Sequence, residues 1–367
     1  RQIFMATGIL TERRLATGPV VLLVEDLHWA DAASIELLGA LADRLADRPL
    51  LLLLMYRPTL EPDALGTSRA PHTAIEVAPL SRADSLDLLT AWFGDSTGQI
   101  PESLRATILG QAGGNPLYLE EVVRALVAAG VLVRDGEGWR CAEDAATRSV
   151  PSTLHGLLLA RLDRLEATER RVIQEAAVIG PRFAVPLLRT VSAEPARVDA
   201  SLDTLVRADL ITPGPDHRFR HGLLQEIVYQ NILVARRTEL HTRVAAALEA
   251  DGEPESLERL EALGHHCALG ADKRRGARYL MAAGDWASGM YANADAIVHY
   301  RRALDALAGC DGVDTDRLVA RERMADLLGP IGRRAAPLDE YEIVEAGHRG
   351  AGDAPAQARI LRKTGGL

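Results

Sequence analysis

Residues 20–31, VVLLVEDLHWAD, constrain this chain more than any other segment. Five apolar residues, Val20 to Val24, run directly into Glu25 and Asp26. An apolar run without alternation suits a strand buried on both faces, the central position in a parallel sheet. Ligands of such sheets bind beyond the carboxyl ends of the strands. Acids there are placed to hold a magnesium ion or to orient a water in phosphate chemistry. Taken alone, a solvated strand end explains the two acids equally well.

The surrounding sequence favours the first reading. Ile35, Leu38, Leu41 and Leu45 share one face of a helix expected over residues 33–46. A second apolar strand is expected over 50–56, ending at Arg57-Pro58, and a third over 74–77. Strand–helix–strand in this rhythm implies a right-handed parallel crossover. It sets Arg57 beside the carboxylates, an arrangement suited to sensing a phosphate. Asp31 reads as the N-cap of the intervening helix. His28 either orients a water or packs beside Trp29.

Beyond residue 80 the pattern turns helical. Ser81 and Asp84 form a capping box before Leu86, Leu89 and Phe93. Gly113-Gly114 breaks the pattern. Asn115 then fits an N-cap and Pro116 the first helical position. Leu119, Val122, Val123, Leu126 and Val127 continue as an amphipathic helix. A short hairpin follows, Val131–Val133 against Trp139–Cys141, turning at Asp135-Gly136. Residues 150–250 read as three helices and a further hairpin closing at 213–216, the layout of a winged helix. From residue 255 the chain reads as helical repeats. Gly284, Ala296, Tyr300 and Ala303 match the small-and-aromatic spacing of a tetratricopeptide repeat, whose period is about 34 residues.

Composition limits the function classes. With 47% apolar residues over 367, the chain is globular and long enough for about two or three domains. Forty-two basic against 51 acidic residues give a formal charge of −9, which argues against a general nucleic-acid surface. Cys141, Cys267 and Cys310 have neither metal-ligand nor redox spacing, and such usage suits a cytoplasmic protein. No apolar run approaches the ~18 residues of a membrane span. His265 and His266 are adjacent on a helix, so they do not share a face as metal ligands. The start at Arg1 and the closing Gly-Gly-Leu lead us to expect an internal piece of a longer protein.

As a set, these motifs resemble the STAND class of P-loop ATPases, signal-transduction relatives of the AAA+ group. VVLLVEDLHWAD is similar to their Walker B strand, and LLLLLMYRP to the sensor strand with Arg57 as its arginine. AGGNPLYLEE (112–121) resembles the Gly-x-Pro motif, whose proline, here Pro116, packs near the adenine. VPSTLHGLLLARLDRL (150–165) and RFRHGLLQEIVYQNIL (218–233) resemble the winged-helix region of class III nucleotide cyclases and large LuxR-type regulators.

The resemblance implies an α/β part followed by an all-α part. A partial parallel-sheet P-loop core would occupy 1–80, a helical lid 81–149, a winged helix 150–252 and tetratricopeptide-like repeats 253–367. Glu25 would be the metal-side acid, where Asp is commoner, and Asp26 the acid polarising the attacking water. Both would serve Mg. Arg57, Asn115, Pro116 and His221 would contact ATP or ADP, although a helix start fully explains Asn115-Pro116, and a lone histidine such as His221 is usually structural. The departure is the phosphate loop: no Gly-x-x-x-x-Gly-Lys-[Ser/Thr] occurs, and neither Lys273 nor Lys363 follows a glycine.

The expected protein is therefore a piece of an ATP/ADP-controlled switch. Its repeats would sense a protein or small-molecule ligand, self-association stays open, and its output would be a cyclase or a transcription-activating domain. Tight ATP binding to residues 1–367 alone is not expected. Two rivals remain: a degenerate, non-catalytic scaffold, and a DNA-binding protein using its winged helix.

Overall fold

Val20–Val24 (β1) and Leu50–Leu54 (β2) pair in parallel, Val20 opposite Leu50 through Val24 opposite Leu54. The computed structural model describes residues 2–30, 32–57, 71–94, 100–128, 130–135, 138–142, 154–328 and 336–365. These divide into two units, one from residues 1–74 with 251–367 and the other from 75–250. Asp31, Pro58, Gly136 and the first residues of the 150–165 motif lie outside the described set.

In the first unit, helices Gln2–Leu15 (α1) and Ala32–Arg44 (α2) cover one face of the two strands. Leu15, Leu41 and Leu45 form a small core there, with Val20 and Leu50 against it. Arg44 Nε donates to Glu12 Oε1 at 3.0 Å and ties the two helices. The other face is open: Val21 is 66% exposed, Leu23 50%, Leu51 57% and Leu53 45%. This corrects the expectation of a strand buried on both sides. The residue types are right for two-sided burial, but the described residues supply apolar cover on one side only. Helix α1 is not among the expected elements. Residues 74–77, expected as a third strand, have no strand partner among the described residues and are exposed.

The remainder of this unit is helical: Leu257–Leu269 (named α12 below), Lys273–Gly289 (α13), Asn293–Leu307 (α14), Asp314–Leu328 (α15), Ala336–Ala351 (α16) and Ala354–Thr364 (α17). Small residues let neighbours close in. A Cβ on Gly276 would lie 2.4 Å from the Ala268 nitrogen, and one on Gly284 2.5 Å from the Tyr300 ring.

The repeating unit differs from the expected 34 residues. Tyr300 donates its hydroxyl to Asp285 at 2.8 Å, and Arg323 pairs with the same carboxylate at 2.6 Å. Tyr341 donates to Asp326 at 2.6 Å, and Lys363 pairs there at 2.6 Å. Both tyrosines and both aspartates are separated by 41 positions. Each acid of a first helix thus takes one bond from the second helix of its own pair and one from the first helix of the next.

The second unit has two main cores. Arg82–Phe93 (α3), Glu102–Ala112 (α4) and Pro116–Ala128 (α5) pack with the hairpin Leu132–Asp135 (β3) and Gly138–Cys141 (β4) around Leu89, Phe93, Ile108, Leu119, Val122 and Leu126. The Ser81 capping box forms as expected: its hydroxyl accepts from Asp84 N, and Asp84 accepts from Ser81 N. The other core gathers Leu154–Asp163 (α6), Ala167–Ile179 (α7), Arg182–Phe183 (β5), Val185–Val191 (α8), Val198–Arg207 (α9), Ile211–Thr212 (β6), His217–Phe219 (β7) and Gly222–Gln230 (α10). Its antiparallel sheet runs β5-β7-β6. Val234–Ala250 (α11) packs on this body through Leu240 and Val244, against Val178 and Val191. Helix α6 belongs to both cores: Leu157 packs in the first, Leu158 and Leu162 in the second.

Candidate functional site

Because β1 and β2 are parallel, their carboxyl ends lie at the same end of the sheet. Two further backbone bonds extend the ladder past the strands. Met55 N donates to Val24 O at 2.9 Å, and Leu27 N donates to Met55 O at 3.0 Å. Glu25 and Asp26 sit between those anchors and are both exposed. Arg57 leaves β2 three residues beyond Leu54 and is also exposed. The expected acids and the expected arginine therefore come from adjacent strands at one sheet end.

Asp26 has φ 54° and ψ 35°, the left-handed region, and starts a 3₁₀ turn over Leu27–Trp29. Aspartate tolerates this region better than most residues, yet a non-glycine residue there carries strain. Leu27, 1% exposed, and its bond to Met55 hold the bend. The Asp26 side chain makes no capping bond to the turn. A strained acid at a strand end is a feature concentrated at functional sites. Sequence reasoning selected the residue but not the bend.

Asn115, Pro116 and His221 belong to the second unit. The Asn115 side-chain oxygen accepts from Leu117 N at 3.0 Å and Tyr118 N at 3.3 Å, so it caps α5 as expected. Pro116 is exposed at the first position of that helix. The preceding turn needs its glycines: Gly114 has φ 79°, and a Cβ there would meet Leu80 O at 2.3 Å. Leu80 N donates to Gly114 O at 2.8 Å, which fixes the turn against the start of α3.

A shallow cavity of about 200 Å³ opens beside this turn, lined by Leu80, Arg82, Ser85, Leu109, Gly113 and Gly114. The Ser85 hydroxyl, on a side chain 3% exposed, has no hydrogen-bond partner among the described residues. The Tyr118 hydroxyl shares that condition, and burial raises its pKa above the usual value. Neither residue carries a signal in the sequence beyond helical spacing. His221 precedes α10 in extended backbone, and its Nε2 is buried without a hydrogen-bond partner among the described residues.

Among the described residues no cluster of three or more His, Cys, Asp or Glu could hold a metal. Magnesium does not require one, since it commonly takes one or two carboxylates together with phosphate oxygens and water. Glu25 and Asp26 fit that donor set. The phosphate cradle does not: residues 1–367 contain no glycine-rich loop ending in Lys-[Ser/Thr].

No family model matches the chain. An uncharacterized protein of Rhizobium meliloti (strain 1021) is 29% identical over 332 residues, covering 87% of this chain and 31% of that protein. Among solved structures, the Signal Transduction ATPase with Numerous Domains (STAND) protein with a tetratricopeptide repeat sensor from Pyrococcus horikoshii is similar, with a TM-score of 0.53 and 12% identity. That match covers 99% of this chain and 51% of the other. The chain thus spans about a third of the first relative and half of the second, and it shares the fold of a STAND protein that carries a helical-repeat sensor.

Proposed function

We propose that this chain is part of a STAND-type regulatory ATPase, a switch set by bound ATP or ADP. The observation that carries the reading is the junction at the strand ends: Glu25 and Asp26 beside Arg57, with Asp26 held in a left-handed bend. Asp26 would act on the attacking water, Glu25 on the magnesium side, and Arg57 on the terminal phosphate. Magnesium, when bound, would supply charge neutralisation between phosphate oxygens. Asn115, Pro116 and His221 are also proposed as nucleotide contacts.

The open apolar face of β1 and β2 supports a larger sheet domain in the complete polypeptide, because parallel sheets are normally covered on both faces. The partial coverage of both relatives supports it too. The β5-β7-β6 sheet among helices α6 to α10 supports the winged-helix reading. The helical array would be the sensor, with a nucleotide cyclase or a transcription-activating domain as the output. The absent phosphate loop favours one alternative, a non-catalytic scaffold.

Calorimetry on residues 1–367 with Mg-ATP should detect no binding tighter than about 1 mM, and micromolar affinity would show that these residues hold the nucleotide without a phosphate loop. In a longer polypeptide that supplies a phosphate loop, Asp26→Asn should lower ATP turnover by about 10²-fold or more. Unchanged turnover would remove Asp26 from catalysis, and a longer polypeptide with no turnover at all would favour the scaffold.

A further inference from the structure

Helices α6, α7 and α10 leave a hollow of about 230 Å³ between the end of α6, the first half of α7 and the end of α10. It shares no lining residue with the cavity at the Gly113-Gly114 turn. Leu162, Ile173 and Val228 form its floor; all three are buried and belong to the core of these helices. Asp163, Arg170, Gln174 and Asn231 form its rim and are half-buried or exposed.

Arg170 is anchored through one nitrogen. Its Nη2 donates to the carbonyls of Asp163 at 2.8 Å and Leu165 at 3.2 Å, which caps the end of α6 and fixes the guanidinium. Its Nε is enclosed without a hydrogen-bond partner among the described residues, and the two capping bonds leave Nη1 unengaged. The Asp163 carboxylate lies 4.0 Å from Nη2, outside hydrogen-bond range. The rim carboxamides of Gln174 and Asn231 each offer a donor and an acceptor.

Water serves such a rim but gains nothing from an apolar floor. An apolar floor beneath a few convergent polar groups is the make-up of a small-molecule site, and the volume lies below the roughly 300–1,000 Å³ of sites for drug-sized ligands. The ligand is therefore small. Its charge follows from the rim. A net anion would be drawn to Arg170 and repelled by Asp163, and a net cation the reverse. A zwitterion satisfies both, and a carboxylate and an ammonium group joined through one carbon suit a cation and an anion 4.0 Å apart. We propose that this hollow binds a free α-amino acid with an aliphatic side chain. Arg170 takes the carboxylate, Asp163 the ammonium group, and the side chain lies on Leu162, Ile173 and Val228. The bound molecule joins three helices of one core, so the second unit gains a small-molecule response of its own.

The test is calorimetry on the 367-residue chain with L-leucine, L-isoleucine, L-valine and L-methionine. At least one should bind with a Kd of about 1 mM or tighter. Two fragments of leucine separate the contacts: 4-methylpentanoate lacks the ammonium group and 3-methylbutylamine lacks the carboxylate. Each should bind about tenfold or more weakly than the amino acid. Asp163→Asn should weaken the amino acid about tenfold and leave 4-methylpentanoate unchanged, whereas Arg170→Gln should weaken both. The Asp163 side chain is 73% exposed, so its variant keeps the test open if loss of the Arg170 cap unfolds the other. Absence of binding by all four amino acids, equal binding of 4-methylpentanoate, or affinity indifferent to Asp163→Asn would overturn the proposal. Neither a nucleotide nor Glu25, Asp26 or Arg57 enters the measurement, so its failure leaves the function proposed above standing, and the reverse holds as well.

Discussion

Tyr300 and Tyr341 show what one hydroxyl contributes. Each is almost fully buried and each donates to an aspartate that also holds a basic side chain. Tyr300→Phe should cost about 1 kcal/mol, read from the urea midpoint at constant slope, and Tyr341→Phe a similar amount. Burial first, and then the hydrogen bond to Asp285, push the Tyr300 hydroxyl above its ordinary range; burial and Asp326 do the same for Tyr341. A raised folded pKa contributes stability that is fully present below the unfolded value of about 10 and is lost as pH climbs above it. The phenylalanine pair should therefore lose less stability than the parent above about pH 10. Local residue roles were legible in the sequence. The Ser81 box and the Asn115 cap each depend on three or four consecutive residues, and both form. The bends at Asp26 and Asp209 were not legible, because burial of Leu27 and Leu210 against distant residues holds them. For the candidate site, this means that the acids and the arginine could be chosen from the sequence, whereas the strain at Asp26 and the buried Ser85 hydroxyl could not.

Elements follow the sequence where their pattern is local. The strand at 20–24 forms as expected, the strand expected over 50–56 ends at Leu54, and the hairpin expected from 131–133 and 139–141 forms from Leu132–Asp135 and Gly138–Cys141. Residues 74–77 alternate like a strand, but a strand exists only when another backbone pairs with it, and no run of four residues encodes that partner. One-sided burial of β1 has the same origin, since cover comes from elsewhere in the chain. Helix approach is likewise a property of pairs. Within α13, Gly276 faces the backbone of Ala268, whereas Gly289 has nothing within 4 Å. Gly276→Ala should destabilise by about 1–3 kcal/mol, because backbone must move to admit the methyl. Gly289→Ala should be neutral or stabilising by up to about 1 kcal/mol. Thermal unfolding of the two variants beside the parent checks the contrast, and equal shifts would contradict this account of the packing.

At the scale of the molecule, the second unit is continuous in sequence and contains its own apolar cores, while the first is assembled from two separate stretches. Residues 75–250 expressed alone should therefore fold, with a cooperative thermal transition and persistent near-ultraviolet dichroism. A non-cooperative melt would show that the cores depend on the rest of the chain. The helical array was legible as an array, since Gly284, Ala296, Tyr300 and Ala303 carry its internal spacing. Its period was not legible, because the length of connections such as residues 308–313 is not encoded by the helical spacing on either side.

That period has a consequence for how such an array can change size. Asp285 and Asp326 are interchangeable in what they receive: a tyrosine hydroxyl from the helix after, and a cation from the first helix beyond. Excising residues 286–326 would fuse the front of α13 to the end of α15. It would hand Asp285 the partners now held by Asp326, Tyr341 and Lys363. The array can in this way lose or gain a whole unit by recombination and close its own seam, so that its reach varies in fixed steps without rebuilding either end.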